Sequence, residues 1–239
     1  MDATRNDAFY LDLDGTLIET TPTPDMARAG PRVREVLARL VAATRGATMI
    51  VSGRAIAKVD ELLCMRLPAA GQHGAEIRLL NPAFDDIRVG IEDYPGVLAR
   101  CELLHARIPG SLLEVKDPTI ALHLHRADPR FGELVDGMQA IATMSDGRLA
   151  CVVAHNVAEL RPADIHKGKV LEGAALFAPF SGRRPIFIGN DTPDIDGFRA
   201  ASGMGGYGVA VGVPCAAARF RLASPDAVLD ALEAVAEAA

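Results

Sequence analysis

Tryptophan is absent from this 239-residue chain, and aromatic residues make up only 5% of it. Stacking platforms for nucleic-acid bases are therefore not expected. There is no excess of basic charge either: 25 Lys and Arg stand against 31 Asp and Glu, and the net charge is -6. A basic face for nucleic acid is excluded on that balance. No apolar run approaches the ~18 residues that cross a bilayer, so no membrane partner is expected. The opening MDATRNDAFY carries neither an apolar core nor a basic leader, which gives a cytoplasmic location as the expectation. The four cysteines, Cys64, Cys101, Cys151 and Cys215, form no CxxC pair. Zinc and redox motifs are disfavoured by that spacing, and buried free thiols are expected. Repeats and low-complexity segments are missing as well.

What is present is a globular composition, 49% hydrophobic and 23% charged, with strand and helix signals in alternation. The run 8–13 (AFYLDL) predicts a buried strand. Pro31 opens a helical pattern with Val33, Val36, Leu37 and Leu40 on one face, and Gly46 closes it. A second buried strand is expected over 47–51, a helix over 55–63 and a short strand over 68–71. This order predicts a parallel sheet with helices on its faces, an α/β class. From about Arg78 to Pro162 the pattern changes to strands over 112–116, 119–125, 148–153 and 157–161 and helices over 94–107 and 129–144. That is the pattern of a small α+β domain inserted into the first, and Asn81-Pro82 is placed at a hairpin break. Helix–strand alternation resumes after Lys167 and ends in a helix from Pro225. The expected core is thus 1–77 with 163–239, and the inserted domain 78–162.

Residues two apart in a strand share a face. Glu114 with Lys116, His123 with His125, and Glu159 with Arg161 therefore line up as polar pairs opposite apolar neighbours. A solvated sheet face and a ligand-facing surface explain this pattern equally well. Two histidines are too few for zinc.

The most informative stretch is Asp12-Leu13-Asp14-Gly15-Thr16, directly after the first strand. Open α/β sheets bind ligands at that edge. Two carboxylates so close suit a hard divalent cation such as Mg²⁺. Beside a cation, Asp12 could attack phosphorus as nucleophile and Asp14 could serve as acid and base. An EF-hand calcium loop is excluded, since Leu17 and Thr23 stand where Gly and Glu are needed; a plain turn stays open. Ser52-Gly53-Arg54 follows the second strand, where an anion site and a helix cap are equally good readings. Lys167 opens a helix, against the helix dipole, which points to service for a ligand. Gly189 to Asp194 bring further oxygen ligands to the same edge. Gly203, Gly205 and Gly208 match GxGxxG but precede a strand, so a dinucleotide site is discounted.

Taken in order, FYLDLDGTL, IVSGR, Lys167 and GNDTPD resemble the four motifs of haloacid dehalogenase phosphatases. Gly71 to Glu76 (GQHGAE) resembles the GxHGAE stretch of the trehalose-6-phosphate phosphatases. Glu114-x-Lys116 with Ala121-Leu122-His123 is similar to their ExK…ALHYR segment, and Glu159-Leu160-Arg161-Pro162 with Lys167-Gly168 to EI(K/R)P…KG. The likeness runs from about Phe9 to Leu229. It implies a Rossmann-like haloacid dehalogenase core with a cap domain, and Mg²⁺-dependent hydrolysis of a sugar phosphate, trehalose 6-phosphate, through a phospho-aspartate on Asp12. A second substrate reading is another sugar phosphate, and a third reading is a weakly active sugar-phosphate-binding protein. By the same likeness Asp14 is acid and base, and Ser52 and Lys167 hold phosphate. Gly53, Arg54, His73, Glu114, Lys116, His123, Glu159 and Arg161 face the substrate. Asp12, Asp14, Asn190 and Asp191 hold the metal. The sequence departs from the family at Asn190, where an Asp is usual, at Pro193 and Ile195, and at His125-Arg126.

Overall fold

In a computed structural model, residues 6–21, 26–80, 87–88, 90–115 and 118–238 are described. Strand β1 (Asp7–Leu11) is buried along its whole length. Its alternate side chains enter two different cores: Phe9 and Leu11 pack with one cluster, Ala8 and Tyr10 with another. Burial on both faces is why this strand reads as an unbroken apolar run instead of an alternating one.

The chain continues through α1 (Pro31–Ala43), β2 (Thr48–Val51), α2 (Ile56–Leu63), β3 (Ala69–Gly71), β4 (Glu76–Arg78) and β5 (Ile87–Arg88). Next come α3 (Tyr94–Arg107), β6 (Leu112–Val115), β7 (Ile120–His123), α4 (Phe131–Thr143), β8 (Leu149–Ala154) and β9 (Val157–Pro162). The final part holds α5 (Lys167–Ala174), β10 (Arg184–Gly189), α6 (Asp194–Gly203), β11 (Tyr207–Val211), β12 (Phe220–Leu222) and α7 (Pro225–Glu237). Pro31 starts α1, and Val33, Val36, Leu37 and Leu40 are its buried stripe, as the 3.6-residue period requires. Ser224 caps α7 by accepting from the Ala227 N–H at 3.3 Å.

Contacts divide the chain into two units, 1–87 with 166–239, and 88–165. The first unit holds an eight-stranded sheet in the order β12-β11-β10-β1-β2-β3-β4-β5. From β12 to β3 every pairing is parallel; β4 runs antiparallel to β3. The boundary thus falls at 88 instead of 78, because β4 and β5 extend the core sheet. The strand order reverses at β1, with β2 on one side and β10 on the other. That switch point leaves a crevice at the carboxyl ends of the strands, the usual ligand position in such sheets.

The second unit is an antiparallel sheet in the order β6-β7-β9-β8. Ile120 and Leu122 of β7 and Ala158 and Leu160 of β9 pack into one core with Cys101, Leu104, Leu134 and Met138 of α3 and α4. Glu114, His123 and Glu159 lie on the other face by register.

Several expectations need correction. Strand β1 ends at Leu11, two residues short of the expected end, because the chain turns at Asp12. Strands β4 and β12 were not expected; β12 is three residues flanked by Arg219 and half exposed itself, so it carries no apolar run to read. Of the four free cysteines only Cys101 is buried: Cys64 is exposed and Cys151 and Cys215 are half-buried. Burial pushes the Cys101 thiol up to about 11. Strand β7 ends at His123, so His125 leaves the sheet and the His123–His125 pair is not formed. Among the described residues no helix is long and apolar enough to cross a membrane.

Candidate active site at the carboxyl edge of the sheet

Three charged side chains from distant parts of the sequence meet below the surface. The Asp12 N–H still donates to the Ile188 carbonyl at 2.9 Å, which fixes Asp12 at the end of β1 beside β10. Lys167, the first residue of α5, directs its ammonium at Asp12 Oδ1 and Asp194 Oδ1, each at 2.6 Å. All three are buried, with exposures of 6% for Asp12, 3% for Lys167 and 1% for Asp194. The misfit of Lys167 with its own helix dipole is thereby explained: the ammonium serves two carboxylates instead of the helix. In the sequence Asp194 was read only as one of the oxygen-bearing residues of the 189–194 cluster, with no partner named. Here its second oxygen accepts from the Asn190 and Asp191 N–H groups at 2.8 and 2.9 Å, so one carboxylate shapes the loop after β10 and anchors Lys167.

One ammonium does not neutralise two buried carboxylates. Burial pushes Asp12 up to about 7; Lys167 pulls it down and Asp194 pushes it further up. Burial works against the Lys167 charge too, but Asp12 and Asp194 outweigh it and hold the ammonium above the ordinary lysine value.

Asp14 is held differently. Arg54 grips its carboxylate with two bonds, Nε to Oδ2 and Nη2 to Oδ1, both 2.7 Å. This fork geometry is strong and directional. The Asp14 carbonyl turns the other way, toward Asn190. One end of the Asn190 amide lies 2.9 Å from that carbonyl, 3.0 Å from Asp12 Oδ2 and 3.1 Å from Thr16 Oγ1. Thr16 Oγ1 is itself 3.1 Å from Asp12 Oδ2. Gly15, with φ of 78°, passes directly under the Asn190 side chain, where a Cβ would collide. Oxygens about 3 Å apart match adjacent corners of an octahedral Mg²⁺ shell, whose metal–oxygen bonds are about 2.1 Å. Asp12 Oδ2, the Asp14 carbonyl and the Asn190 amide oxygen therefore fit a hard divalent cation. Among the described residues no group of three His, Cys, Asp or Glu side chains could hold one; this donor set has a single carboxylate. Asp191, expected as a ligand, is exposed, and its Oδ1 accepts from the Thr192 N–H at 2.7 Å. It is turned onto its own loop, away from this set.

Ser52, buried at the end of β2, accepts from the Arg54 N–H at 3.1 Å. The register that pairs Leu11 with Ile50 puts it beside the turn after β1. The 72–74 turn braces this segment: the His73 N–H donates to Ser52 O at 2.9 Å and the Gln72 N–H to Arg54 O at 3.0 Å. The His73 ring turns its Cε1–Nε2 edge to Gly53, filling the space a Cβ would need. Glu76 completes the brace. Helix α2 has no side-chain cap of its own; Glu76 Oε2 accepts from the Ile56 N–H at 2.8 Å. A carboxylate at a helix start satisfies an orphan donor and suits the dipole. Glu76 was not expected as a site residue, since its partner is a backbone group twenty positions away.

In the second unit, Glu114 and His123 are joined at 2.8 Å. Glu114 and Glu159 flank Ala121 across three strands. Arg161 is buried. The expected residue Lys116 lies outside the described residues, as does the Asn81-Pro82 break. Arg126 follows the end of β7; its N–H donates to Asn156 Oδ1 at 2.7 Å.

The family model for trehalose-phosphatase matches residues 10–220. The chain belongs to the trehalose-phosphatase family. It is therefore a phosphoric monoester hydrolase. It is 34% identical over 234 residues to the trehalose-6-phosphate phosphatase of Escherichia coli (strain K12), covering 95% of this chain and 86% of that one. A trehalose-6-phosphate phosphatase structure from Aspergillus fumigatus superposes with a TM-score of 0.72 at 25% identity, covering 98% and 94% of the two chains. A phosphatase of the haloalkanoate enzyme superfamily from Bacteroides thetaiotaomicron shares the fold, with a TM-score of 0.69 at 17% identity over 98% and 96% of the chains. The fold of this trehalose-phosphatase family member is thus the Rossmann-like haloacid dehalogenase core with a separate α+β unit.

Two predictions concern the buried charges. Between its ordinary value of 3.8 and about 7, Asp12 holds a proton in the folded state that it loses in the unfolded chain. Its contribution to stability therefore falls as pH rises through that window. In chelator, Asp12→Asn should gain stability relative to the parent as pH rises from about 4 to about 7; a difference independent of pH contradicts this. Glu76→Ala should lower the unfolding free energy by about 1–2 kcal/mol, the usual loss for a helix cap, measured by urea denaturation. No loss would show that α2 is capped some other way.

Proposed function

We propose that the enzyme hydrolyses trehalose 6-phosphate to trehalose and phosphate through a phospho-aspartate on Asp12. The observation that carries this is the buried Lys167 ammonium shared by Asp12 and Asp194, beside the oxygen set of Asp12, Asp14 and Asn190. Asp12 attacks phosphorus while the bond to the sugar oxygen breaks. Asp14 gives that oxygen a proton, for which its carboxyl must leave the Arg54 fork. It then takes a proton from the water that releases phosphate from Asp12. Ser52, Gly53 and Arg54 supply N–H, hydroxyl and guanidinium donors for the phosphate, and Lys167 offsets its charge. Asp12, the Asp14 carbonyl and Asn190 would hold Mg²⁺, which would supply the positive charge that lets an anion approach an anion.

Within the second unit, recognition of the sugar falls to the polar sheet face bearing Glu114, His123 and Glu159. Names of relatives such as the E. coli enzyme support the disaccharide. A second reading, a different sugar phosphate, is favoured by the end of β7 at His123, after which Arg126 follows a turn in place of a strand. Phosphate release should be fastest from trehalose 6-phosphate in a panel of sugar phosphates, and chelator should abolish it. Faster release from another sugar phosphate selects the second reading; full activity in chelator removes the metal from the scheme.

A further inference from the structure

The two ends of the Asn190 amide are chemical opposites, and the place that one of them occupies is ringed by oxygen. Its neighbours are the Asp14 carbonyl at 2.9 Å, Asp12 Oδ2 at 3.0 Å and Thr16 Oγ1 at 3.1 Å. The Asp14 carbonyl only accepts hydrogen bonds, and so does Asp12 Oδ2 when its carboxyl is ionised. With the amide oxygen inward it accepts from the Thr16 hydroxyl at 3.1 Å but faces two further oxygens, the Asp14 carbonyl and Asp12 Oδ2, an arrangement that a cation in their midst makes favourable. With the nitrogen inward, the amide donates to both acceptors and Thr16 can pass its own proton to Asp12 Oδ2. The nitrogen-inward orientation thus suits the metal-free site, and the oxygen-inward one the metal-bound site.

We propose that Asn190 is a two-position element: its amide nitrogen stands in for the divalent cation when none is bound, and its oxygen becomes a ligand when one arrives. The inference rests on the metal assignment above and deepens it. Charge supports it. Lys167 already serves two carboxylates, Asp12 and Asp194. An aspartate at 190 would add a third negative group and bring no donor, which leaves the site under strong repulsion until a metal binds. The amide removes that repulsion but competes with the metal for the same oxygens. The enzyme thereby keeps its folded site without metal, at a lower affinity for it.

Wild type, Asn190→Asp and Asn190→Ala, compared at one fixed pH, test this. Thermal unfolding is followed in chelator and over a Mg²⁺ series, and Mg²⁺ binding is titrated by calorimetry. In chelator, wild type should melt above both variants, because Asn190→Ala loses the stand-in donor even without added charge. Mg²⁺ should raise the melting temperature of Asn190→Asp more than that of wild type, and should bind it about tenfold tighter or more, since ligand charge sets affinity. An Asn190→Ala protein as stable as wild type in chelator overturns the stand-in role, as does Mg²⁺ binding no tighter to Asn190→Asp; in both cases the metal assignment survives. Mg²⁺ binding to none of the three overturns the assignment and this inference together.

Discussion

A shortage of positive charge organises this site. Lys167 is the one cation that touches both Asp12 and Asp194, at 2.6 Å each, and all three are shielded from water that would otherwise share the load. Buried charges are tolerated only when paired and hydrogen-bonded. Asp194 meets that condition, with the ammonium on one oxygen and two backbone N–H groups on the other. Asp12 has Lys167 on one oxygen and the Thr16 hydroxyl donating to the other at 3.1 Å, but it shares its one counter-charge with Asp194. An enzyme that transfers a phosphoryl group benefits from this deficit of positive charge, since it draws an electrophilic or cationic centre to the carboxylate.

The fold is what makes the shortage affordable. Strand β1 is buried on both faces, so its end cannot move to solvate Asp12. Its neighbours β2 and β10 bring Ser52 and Asn190 to the same edge in fixed register. The Glu76 cap and the 72–74 turn hold the Ser52–Arg54 segment by backbone bonds. Rigidity of this kind is the structural basis of electrostatic preorganisation.

Much of this was legible in the sequence because it rests on local patterns. The parallel core followed from apolar runs bounded by turn residues, and Lys167 was marked by its conflict with the helix dipole. Asn190 was marked only through the resemblance, as a departure from the aspartate usual in that family. What escaped depends on distant partners. Asp194 looks like any acid at a helix start until Lys167 is seen beside it, and Glu76 serves the Ile56 N–H on another element. His125 was misjudged because residue spacing sets the direction of a side chain only while the strand lasts, and it lies past the end of β7.

The central claim is that Asp12 accepts the phosphoryl group. Acid-quenched enzyme taken during turnover of trehalose 6-phosphate with Mg²⁺, reduced with borohydride and mapped by mass spectrometry, tests it most directly. The account predicts the reduced derivative of an acyl phosphate at Asp12 and at no other carboxylate. Turnover with Asp12 unmodified at every time point, or with the label on Asp14, would contradict it.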